Sequence, residues 1–137
     1  LLNSSKLSNF RGRMEVYSNN PLTILDGAHN EDGVKALIHS IEKLGKQQVN
    51  VVYGASNDKE LETLFSLFPK KWTYHLTEFR NDRSTTCEKL GEIAKKNNLN
   101  YKLFDAPVKA LKAFDTMTND KDLIIVFGSF FLLEEFY

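Results

Sequence analysis

The sequence predicts an α/β fold of the Rossmann-like type, a mostly parallel sheet of about six strands with helices on both faces. Two observations predict it. Short apolar or β-branched segments alternate with longer segments whose apolar residues recur at helical spacing, and residues 123–127 are apolar throughout. A continuously apolar strand is typical of one covered on both faces, as in a parallel sheet. The repeated order of strand, helix and strand favours parallel pairing with right-handed crossovers.

The composition limits the class of protein. The chain has 137 residues, which suits one domain, and 42% of them are hydrophobic, enough for a core. The 18 basic and 18 acidic residues are balanced and interspersed, so we expect neither a nucleic-acid-binding surface nor membrane association. A single cysteine, Cys87, leaves no internal disulfide framework, and we expect a cytoplasmic protein.

The first half of the chain is predicted to hold three strands and two helices. The strands are 14–17, 22–25 and 49–53. One helix is 31–44, and the other carries Leu61, Leu64, Phe65 and Phe68. Gly45 stops the first helical pattern as a C-terminal glycine does. Asn57 or Asp58 is expected to cap the second helix, and Pro69 lies just past its end.

The second half continues the alternation. Strands are predicted at 72–79, 101–104 and 123–127, the last one ending at Gly128-Ser129. Residues 72–79 alternate in polarity, so one face of that strand is expected to be wetter and the strand to lie near an edge. A capping box of Thr85 and Glu88 opens one helix. Pro107 opens another, and its predicted buried residues are Val108, Leu111 and Phe114.

Residues 21–30 hold the strongest candidate site, because an apolar strand runs there into Asp26, His29 and Asn30. Ligands of open α/β sheets bind where strands end. A plainer interpretation competes with this one: Asp26-Gly27 as a turn, Asn30 as a helix cap and His29 as a loop histidine. No Gly-x-Gly-x-x-Gly and no Gly-x-x-x-x-Gly-Lys-Ser/Thr occurs, so we expect no glycine-rich phosphate cradle in this chain.

Four motifs in order carry a family resemblance. They are Phe10-Arg11-Gly12-Arg13-Met14-Glu15, Asp26-Gly27-Ala28-His29-Asn30, Gly54 with Asp58-Lys59, and Gly128-Ser129. This order and spacing resembles the C-terminal domain of the folylpolyglutamate synthase and dihydrofolate synthase branch of the Mur ligase family. Phe10 and Arg11 depart from the Trp and Pro that are usual there.

The resemblance implies a Mur-ligase-like C-terminal, glutamate ligase domain over residues 10–137, with residues 1–9 as a linker remnant. It implies a parent enzyme that uses ATP to phosphorylate a folate or pteroate carboxylate and joins L-glutamate to the resulting acyl phosphate. The family's N-terminal and central domain, with its P-loop, is missing from this sequence. We therefore expect this piece to be inactive alone.

The resemblance also implies roles for individual residues. Arg13 and Asp26 would bind ATP, at its phosphates and ribose respectively, and His29 and Ser129 would hold the incoming glutamate. The supporting residues it implies are Asn30, Asp58 and Lys59. Mg²⁺ would be carried by ATP and the missing central domain, and no metal ligands are expected here.

Several alternatives stay open. A non-catalytic Rossmann-like nucleotide-binding or interaction module would have the same fold, and a Mur-type ligase for another amino acid would share the motifs. The sequence does not separate a dihydrofolate synthase from a folylpolyglutamate synthase or from a bifunctional enzyme.

The remaining polar candidates are predicted to be structural. Arg80 and Arg83 lie in a polar loop where solvation is favoured over anion binding, and Cys87 fits the buried face of its helix. His39 and His75 are isolated. The apolar carboxyl end, residues 130–137, is expected to be mostly packed core.

Overall fold

The computed structural model describes residues 12–19, 21–57, 60–114 and 121–137. The strands are β1 (Glu15–Asn19), β2 (Leu22–Asp26), β3 (Gln48–Tyr53), β4 (Thr73–Thr77), β5 (Asn100–Phe104) and β6 (Asp122–Phe127). They form one sheet in the order β1-β2-β6-β3-β4-β5, in which only the β1–β2 pair of the described residues is antiparallel. The predicted mostly parallel sheet is confirmed. The predicted linker, residues 1–9, lies outside the described residues.

Five helices and a short 3-10 turn connect and cover the strands in the described part of the chain. They are α1 (Glu31–Lys43), α2 (Leu61–Leu67), α3 (Cys87–Lys96), α4 (Pro107–Lys112), α5 (Phe130–Leu133) and the 3-10 turn Glu134–Phe136. None of these helices has the length and apolar character needed to cross a membrane.

The core has two layers because alternate strand residues point to opposite faces of the sheet. On one face α1, α2 and α3 pack against Val51, Tyr53 and Ile125. On the other face α4, α5 and the 3-10 turn pack against Val52 and Val126. Every residue of β6 is buried, as the continuous apolar run predicted. Helices on both faces are confirmed.

The first helix begins and ends as the sequence predicts. The side chain of Asn30 accepts a hydrogen bond of 2.8 Å from the backbone N–H of Gly33, and Gly45 follows the helix at φ +64°. Both features satisfy backbone groups that a helix leaves unpaired at its ends. Asn30 is thus a helix cap, whatever else it does.

The caps of two other helices differ from prediction. Glu60 stands at the N-cap of α2 and makes no side-chain capping bond, while Asn57 is held elsewhere by its backbone bond to Arg83. The prediction that a capping box begins at Thr85 is also wrong, by one residue. The Thr86 hydroxyl accepts from the Lys89 N–H at 3.2 Å, since the Thr85 N–H is bonded to the Ala55 carbonyl at the end of β3. The predicted cap at Asp58 lies outside the described residues.

Two burial predictions for the β4 side are wrong. β4 lies one strand from the sheet edge, as expected, but His75 and Thr77 on its predicted wet face are 2% and 0% exposed. The α4 segment covers that face, because His75 Nδ1 lies 2.8 Å from the Ala110 carbonyl oxygen. Val108 is 41% exposed instead of buried, and α4 turns Ala110 toward the sheet.

Candidate functional site

Three neighbouring parallel strands end at the same level, and a glycine follows each of them. Asp26 at the end of β2 pairs with Phe127 at the end of β6, which pairs with Tyr53 at the end of β3. The next residues are Gly27, Gly128 and Gly54. The strand order reverses around β6, so this edge is a switch point of the kind where α/β proteins bind ligands.

The glycines allow these loops to approach one another closely. Gly128 has φ +128°, and a Cβ there would lie 2.1 Å from the Gly54 carbonyl oxygen. A Cβ on Gly27 would lie 2.3 Å from Cζ of Phe130. The edge is therefore closely packed backbone, with one aromatic ring lying on it.

Arg13 is presented by a tight turn that the site residues themselves hold. Gly12 and Met14, on either side of it, have φ values of +78° and +48°. The Gly27 N–H donates to the Gly12 carbonyl, and the Met14 N–H donates to Oδ2 of Asp26 at 2.9 Å. A non-glycine residue at positive φ costs about 1–3 kcal/mol and is typical of ligand-binding segments. The exposed Arg13 side chain is thus carried on a fixed backbone.

Asp26 fastens this turn to the end of β2. Its Oδ2 accepts from Met14, and its Oδ1 accepts from the Ala28 N–H at 2.8 Å. Burial raises the pKa of the Asp26 carboxyl, while the two backbone bonds and the charge of Arg13 act against that rise. Each carboxylate oxygen has a second lone pair, so Asp26 can accept further hydrogen bonds from a ligand.

A cleft of about 550 Å³ opens beside this turn. Its lining includes Arg13, Asp26, His29, Asn30 and Phe130. This volume lies within the roughly 300–1,000 Å³ of small-molecule sites. The structure therefore brings both predicted ATP-binding residues to one cleft, together with His29 and the predicted supporting residue Asn30.

His29 stands where three depressions meet. It lines the Arg13 cleft, a second depression containing Glu31 and Glu60, and a smaller pocket containing Ser129. Its Nδ1 lies 3.0 Å from the Gly27 carbonyl oxygen. A carbonyl can only accept, so Nδ1 carries the proton in this bond and Nε2 is left for a ligand.

Ser129 lies in the smaller pocket, of about 150 Å³. It is 4% exposed, its hydroxyl accepts from the Phe131 N–H at 3.1 Å, and its Oγ lies 3.4 Å from Oγ of Ser56. These contacts make Ser129 the N-cap of α5. They also fix two hydroxyl groups at the wall of a pocket that His29 shares.

The sequence does not predict three of the residues that line this region. Phe130 was assigned to a mostly packed carboxyl end, yet it is 54% exposed and its ring lies 6.3 Å from that of His29. Ser56 carried no sequence signal beyond following Gly54 by two residues. Arg83, predicted to be solvated, lines the pocket of Ser129. Asp58 and Lys59 lie outside the described residues.

The residues of the Arg13 cleft suit a nucleotide better than a metal ion. Arg13 offers a charge that grips phosphate oxygens in pairs. Asp26 is the one carboxylate among the described residues lining this cleft, and both its oxygens already accept backbone bonds. Any Mg²⁺ held with ATP would therefore need ligands from elsewhere.

Elsewhere in the described residues, Glu78, Cys87 and Glu88 bring three ligand-type atoms together. Burial, followed by hydrogen bonds of the thiol to the Glu78 and Glu88 carboxylates, raises the pKa of the Cys87 thiol to about 11. The thiol is therefore protonated at neutral pH as long as no metal ion is bound. Cys87 is buried, as predicted.

Comparison with known proteins identifies the domain type. Residues 12–130 match the family described as "Mur ligase, glutamate ligase domain". A dihydrofolate synthase/folylpolyglutamate synthase of Buchnera aphidicola is 31% identical over 128 residues, which are 91% of this chain and 30% of that protein. The Bacillus subtilis protein of the same name is 23% identical over 126 residues, 90% of this chain and 29% of that protein. The chain spans about 30% of the length of these curated relatives.

Solved structures agree with this family match. E. coli FolC in complex with DHPP and ADP superposes with a TM-score of 0.76 at 27% identity, over 89% of this chain and 29% of that one. A Mycobacterium tuberculosis folylpolyglutamate synthase complexed with ADP and AMPPCP has a TM-score of 0.81 over 90% of this chain and 30% of that one, and at 18% identity it shows a shared fold. The family resemblance and the fold class inferred from the sequence are both confirmed. The chain belongs to the Mur ligase family, as its glutamate ligase domain.

Proposed function

We propose that this chain is the C-terminal domain of an ATP-dependent folate ligase, which joins L-glutamate to a folate or pteroate carboxylate. The observation that carries the proposal is the geometry around His29. On one side lies the cleft of Arg13 and Asp26, and on the other lies the pocket of Ser129. A ligase of this kind must bring a nucleotide and an amino acid to one reaction centre, and two depressions that share His29 and Phe130 suit that task.

The relatives support the choice of substrates. The curated proteins that cover about nine tenths of this chain include dihydrofolate synthase/folylpolyglutamate synthases, and the E. coli FolC structure contains DHPP and ADP. By analogy, the parent of this chain would use ATP, a pteroate or folate and L-glutamate. The parent would extend over residues outside this sequence, and its C-terminal domain would begin near residue 10, as the resemblance implies.

On this proposal ATP supplies the phosphoryl group that activates the folate carboxylate, accompanied by Mg²⁺ that the central domain holds. Arg13 binds phosphate oxygens and stabilises the charge that develops on them. Asp26 accepts hydrogen bonds from the ribose hydroxyls and keeps the Arg13 turn in place. Closure of this domain on the central domain excludes water, which would otherwise hydrolyse the activated carboxylate.

The amino-acid side is formed by His29 and Ser129. We propose that the free Nε2 of His29 and the Ser129 hydroxyl position the incoming glutamate. Asn30 supports His29 from the start of α1, where its own side chain is fixed by Gly33. Asp58 and Lys59 remain proposed supporting residues on the strength of the motif alone.

A Mur-type ligase for another amino acid is the second candidate. A UDP-N-acetylmuramoyl-L-alanyl-D-glutamate–2,6-diaminopimelate ligase of Wolinella succinogenes is 33% identical over 57 residues, 42% of this chain and 12% of that protein. Its match covers less than half of the chain, whereas those of the Buchnera aphidicola and Bacillus subtilis folate ligases cover about nine tenths. The folate reaction is therefore the better supported of the two.

The test is the gene that encodes this chain, expressed whole. An upstream Gly-x-x-x-x-Gly-Lys-Ser/Thr motif and ATP-dependent joining of labelled L-glutamate to dihydropteroate or tetrahydrofolate are the expected results, and the active substrate names the reaction. A folded protein that binds ATP but joins glutamate to neither would refute the folate assignment, and 2,6-diaminopimelate and other amino acids would then be assayed. A parent with no upstream P-loop would leave the non-catalytic binding module.

A further inference from the structure

The turn that presents Arg13 is bonded to a second carboxylate besides that of Asp26. Oε1 of Glu15 accepts a hydrogen bond of 2.9 Å from the Gly12 N–H. Asp26 accepts from the Met14 N–H on the other side of the turn. Two carboxylates therefore hold the backbone on either side of Arg13, one at the start of β1 and one at the end of β2.

The same oxygen of Glu15 is bonded to a residue distant in sequence. The Tyr137 hydroxyl donates to Oε1 of Glu15 at 2.6 Å, although the two residues are 122 positions apart. A carboxylate oxygen has two lone pairs, so Oε1 can accept from Tyr137 and from Gly12 together. The short distance is typical of a hydroxyl that donates to a charged acceptor. The bond from Tyr137 therefore fixes the oxygen that holds Gly12.

The segment that carries Tyr137 packs against β1. Phe136 is 8% exposed and belongs to the core layer under α4 and α5. Its ring meets that of Tyr17 edge to face, with centroids 5.7 Å apart. The Tyr137 N–H donates to the Glu134 carbonyl at 3.3 Å. The core and the 3-10 turn thus place the Tyr137 hydroxyl beside the start of β1.

The Arg13 turn depends on these bonds because its backbone conformation is unfavourable by itself. Gly12 and Met14 have positive φ values, and a non-glycine residue keeps such a conformation only where its surroundings enforce it. Loss of the Glu15 side chain leaves the N–H of the buried Gly12 without that partner. The turn then relaxes and displaces the guanidinium, and a misplacement of about 1 Å costs up to about 100-fold in rate.

We infer that Glu15 and Tyr137 are positioning residues for the phosphate-binding arginine. Glu15 binds the backbone of the turn, and Tyr137 restrains Glu15. Neither side chain lines the Arg13 cleft, so both act through Arg13. The inference rests on the proposed function and adds to it a link between the segment after α5 and the nucleotide side of the site.

The experiment compares the kinetics of the full-length ligase carrying Tyr137→Phe, Glu15→Ala or Glu15→Gln. Tyr137→Phe removes one hydroxyl and lowers turnover by about 3- to 10-fold, while Glu15→Ala also releases Gly12 and lowers it by about 10- to 30-fold. Glu15→Gln keeps an oxygen that accepts both bonds and regains most of the turnover lost in Glu15→Ala. The KM for ATP rises in Tyr137→Phe and Glu15→Ala, and the KM for glutamate does not change.

A kinetic double-mutant cycle separates positioning from a general structural role. In an Arg13→Ala background, Tyr137→Phe lowers turnover no further, because its effect passes through Arg13. The matched control is Tyr17→Phe, which keeps the ring against Phe136. Tyr17 is 45% exposed and Tyr137 is 49% exposed, but the Tyr17 hydroxyl makes no hydrogen bond within the described part of the chain. Turnover of Tyr17→Phe matches wild type.

The possible failures are distinguishable. If the wild-type protein joins no glutamate, the proposed function fails, and amide hydrogen exchange of the full-length protein decides the restraint: faster exchange at residues 12–15 in Tyr137→Phe supports it, and unchanged exchange refutes it. If wild type is active and neither Tyr137→Phe nor Glu15→Ala lowers turnover, the positioning role is refuted. An equal loss from Tyr137→Phe in the wild-type and Arg13→Ala backgrounds also refutes it, because the effect then bypasses Arg13.

Discussion

The glycine-lined edge of the sheet and the side covered by α4 use histidine in opposite ways. In both places Nδ1 faces a carbonyl oxygen, that of Gly27 for His29 and that of Ala110 for His75. His75 is 2% exposed and stacks on Phe114 with ring centroids 3.6 Å apart, whereas His29 is half-buried where three depressions meet. The same hydrogen bond therefore secures a core in one region and orients a side chain for a ligand in the other.

The backbone conformation also differs between these two regions. At the glycine-lined edge Gly12, Met14 and Gly128 have positive φ values, and loops approach so closely that a Cβ has no room. On the α4 side the described residues show aromatic stacking and ordinary helix packing. Strain and exclusion of side chains concentrate where we propose that ligands bind, which is the pattern expected when surrounding structure holds a site in place.

The largest expected effect is on the glycine-lined edge. Gly128→Ala places a Cβ 2.1 Å from the Gly54 carbonyl oxygen, a backbone atom that cannot swing away. Strain at positive φ and overpacking together cost about 3–5 kcal/mol of unfolding free energy, measured by urea denaturation of this chain. Gly45→Ala is the control, because it has φ +64° but no atom within 4 Å of the added Cβ. It should cost about 1–2 kcal/mol, and equal losses in both variants would show that the close approach at Gly128 is unimportant.

Arg13→Ala tests whether the side chain that the turn of Gly12 and Met14 presents contributes to catalysis. In the full-length ligase, turnover should fall by about 100-fold or more, because the guanidinium stabilises phosphate charge as it develops. Lys35→Ala is a matched removal of an exposed cation, one paired with Glu31 on α1, and should leave turnover unchanged. Unchanged turnover in Arg13→Ala would remove Arg13 from the site.

A double-mutant cycle tests the contact between the Phe130 ring and Gly27. Gly27→Ala forces the ring to move and should cost about 1–2 kcal/mol, less than Gly128→Ala because a half-exposed side chain can shift. In a Phe130→Ala background the same substitution should cost close to nothing, giving a coupling of about 1 kcal/mol by urea denaturation. Additive losses would mean that Phe130 and Gly27 do not constrain each other.

Two adjacent threonines sharpen the account of α3. Thr86→Ala should lower the unfolding free energy by about 1 kcal/mol, since the Thr86 hydroxyl caps the helix. Thr85→Val should be neutral or stabilising, because the buried Thr85 hydroxyl has no hydrogen-bond partner among the described residues. A larger loss of unfolding free energy in Thr85→Val than in Thr86→Ala, measured by thermal or urea unfolding, would show that Thr85 caps the helix.

The smallest expected effect is a pH dependence of the unfolding free energy, which arises from His75 under α4. Burial lowers the pKa of His75 from its ordinary 6.5, with the Ala110 bond opposing and Lys102 assisting. The unfolded chain then binds a proton more readily, so His75 removes stability as the pH falls below about 6.5 toward the folded-state pKa. His75→Gln should flatten that part of the profile of unfolding free energy against pH. An unaltered profile in His75→Gln would contradict the assignment.

Local signals explain what the sequence predicts well. The cap at Asn30, the stop at Gly45 and the buried run of β6 each depend on neighbours along the chain, and each is confirmed. The position of Asp26 is also local, because it ends β2 at the carboxyl edge of the sheet, and His29 lies in the loop that follows.

Contacts distant in sequence explain the rest. The alternation in residues 72–79 cannot reveal that α4 covers His75. Thr85 and Thr86 have equal capping propensity, and only the bond from the Thr85 N–H to the Ala55 carbonyl decides between them. Arg83 reaches the pocket of Ser129 because its loop pairs with the loop after β3, a register that no local pattern encodes.

The central claim is that His29 separates a nucleotide side from an amino-acid side. The most direct measurement is a comparison of KM values for ATP and L-glutamate in Arg13→Ala and Ser129→Ala of the full-length ligase. The account predicts a crossed result, in which Arg13→Ala raises the KM for ATP and not for glutamate, and Ser129→Ala raises the KM for glutamate and not for ATP. The same pattern of change in both variants, or no change in either, would contradict it.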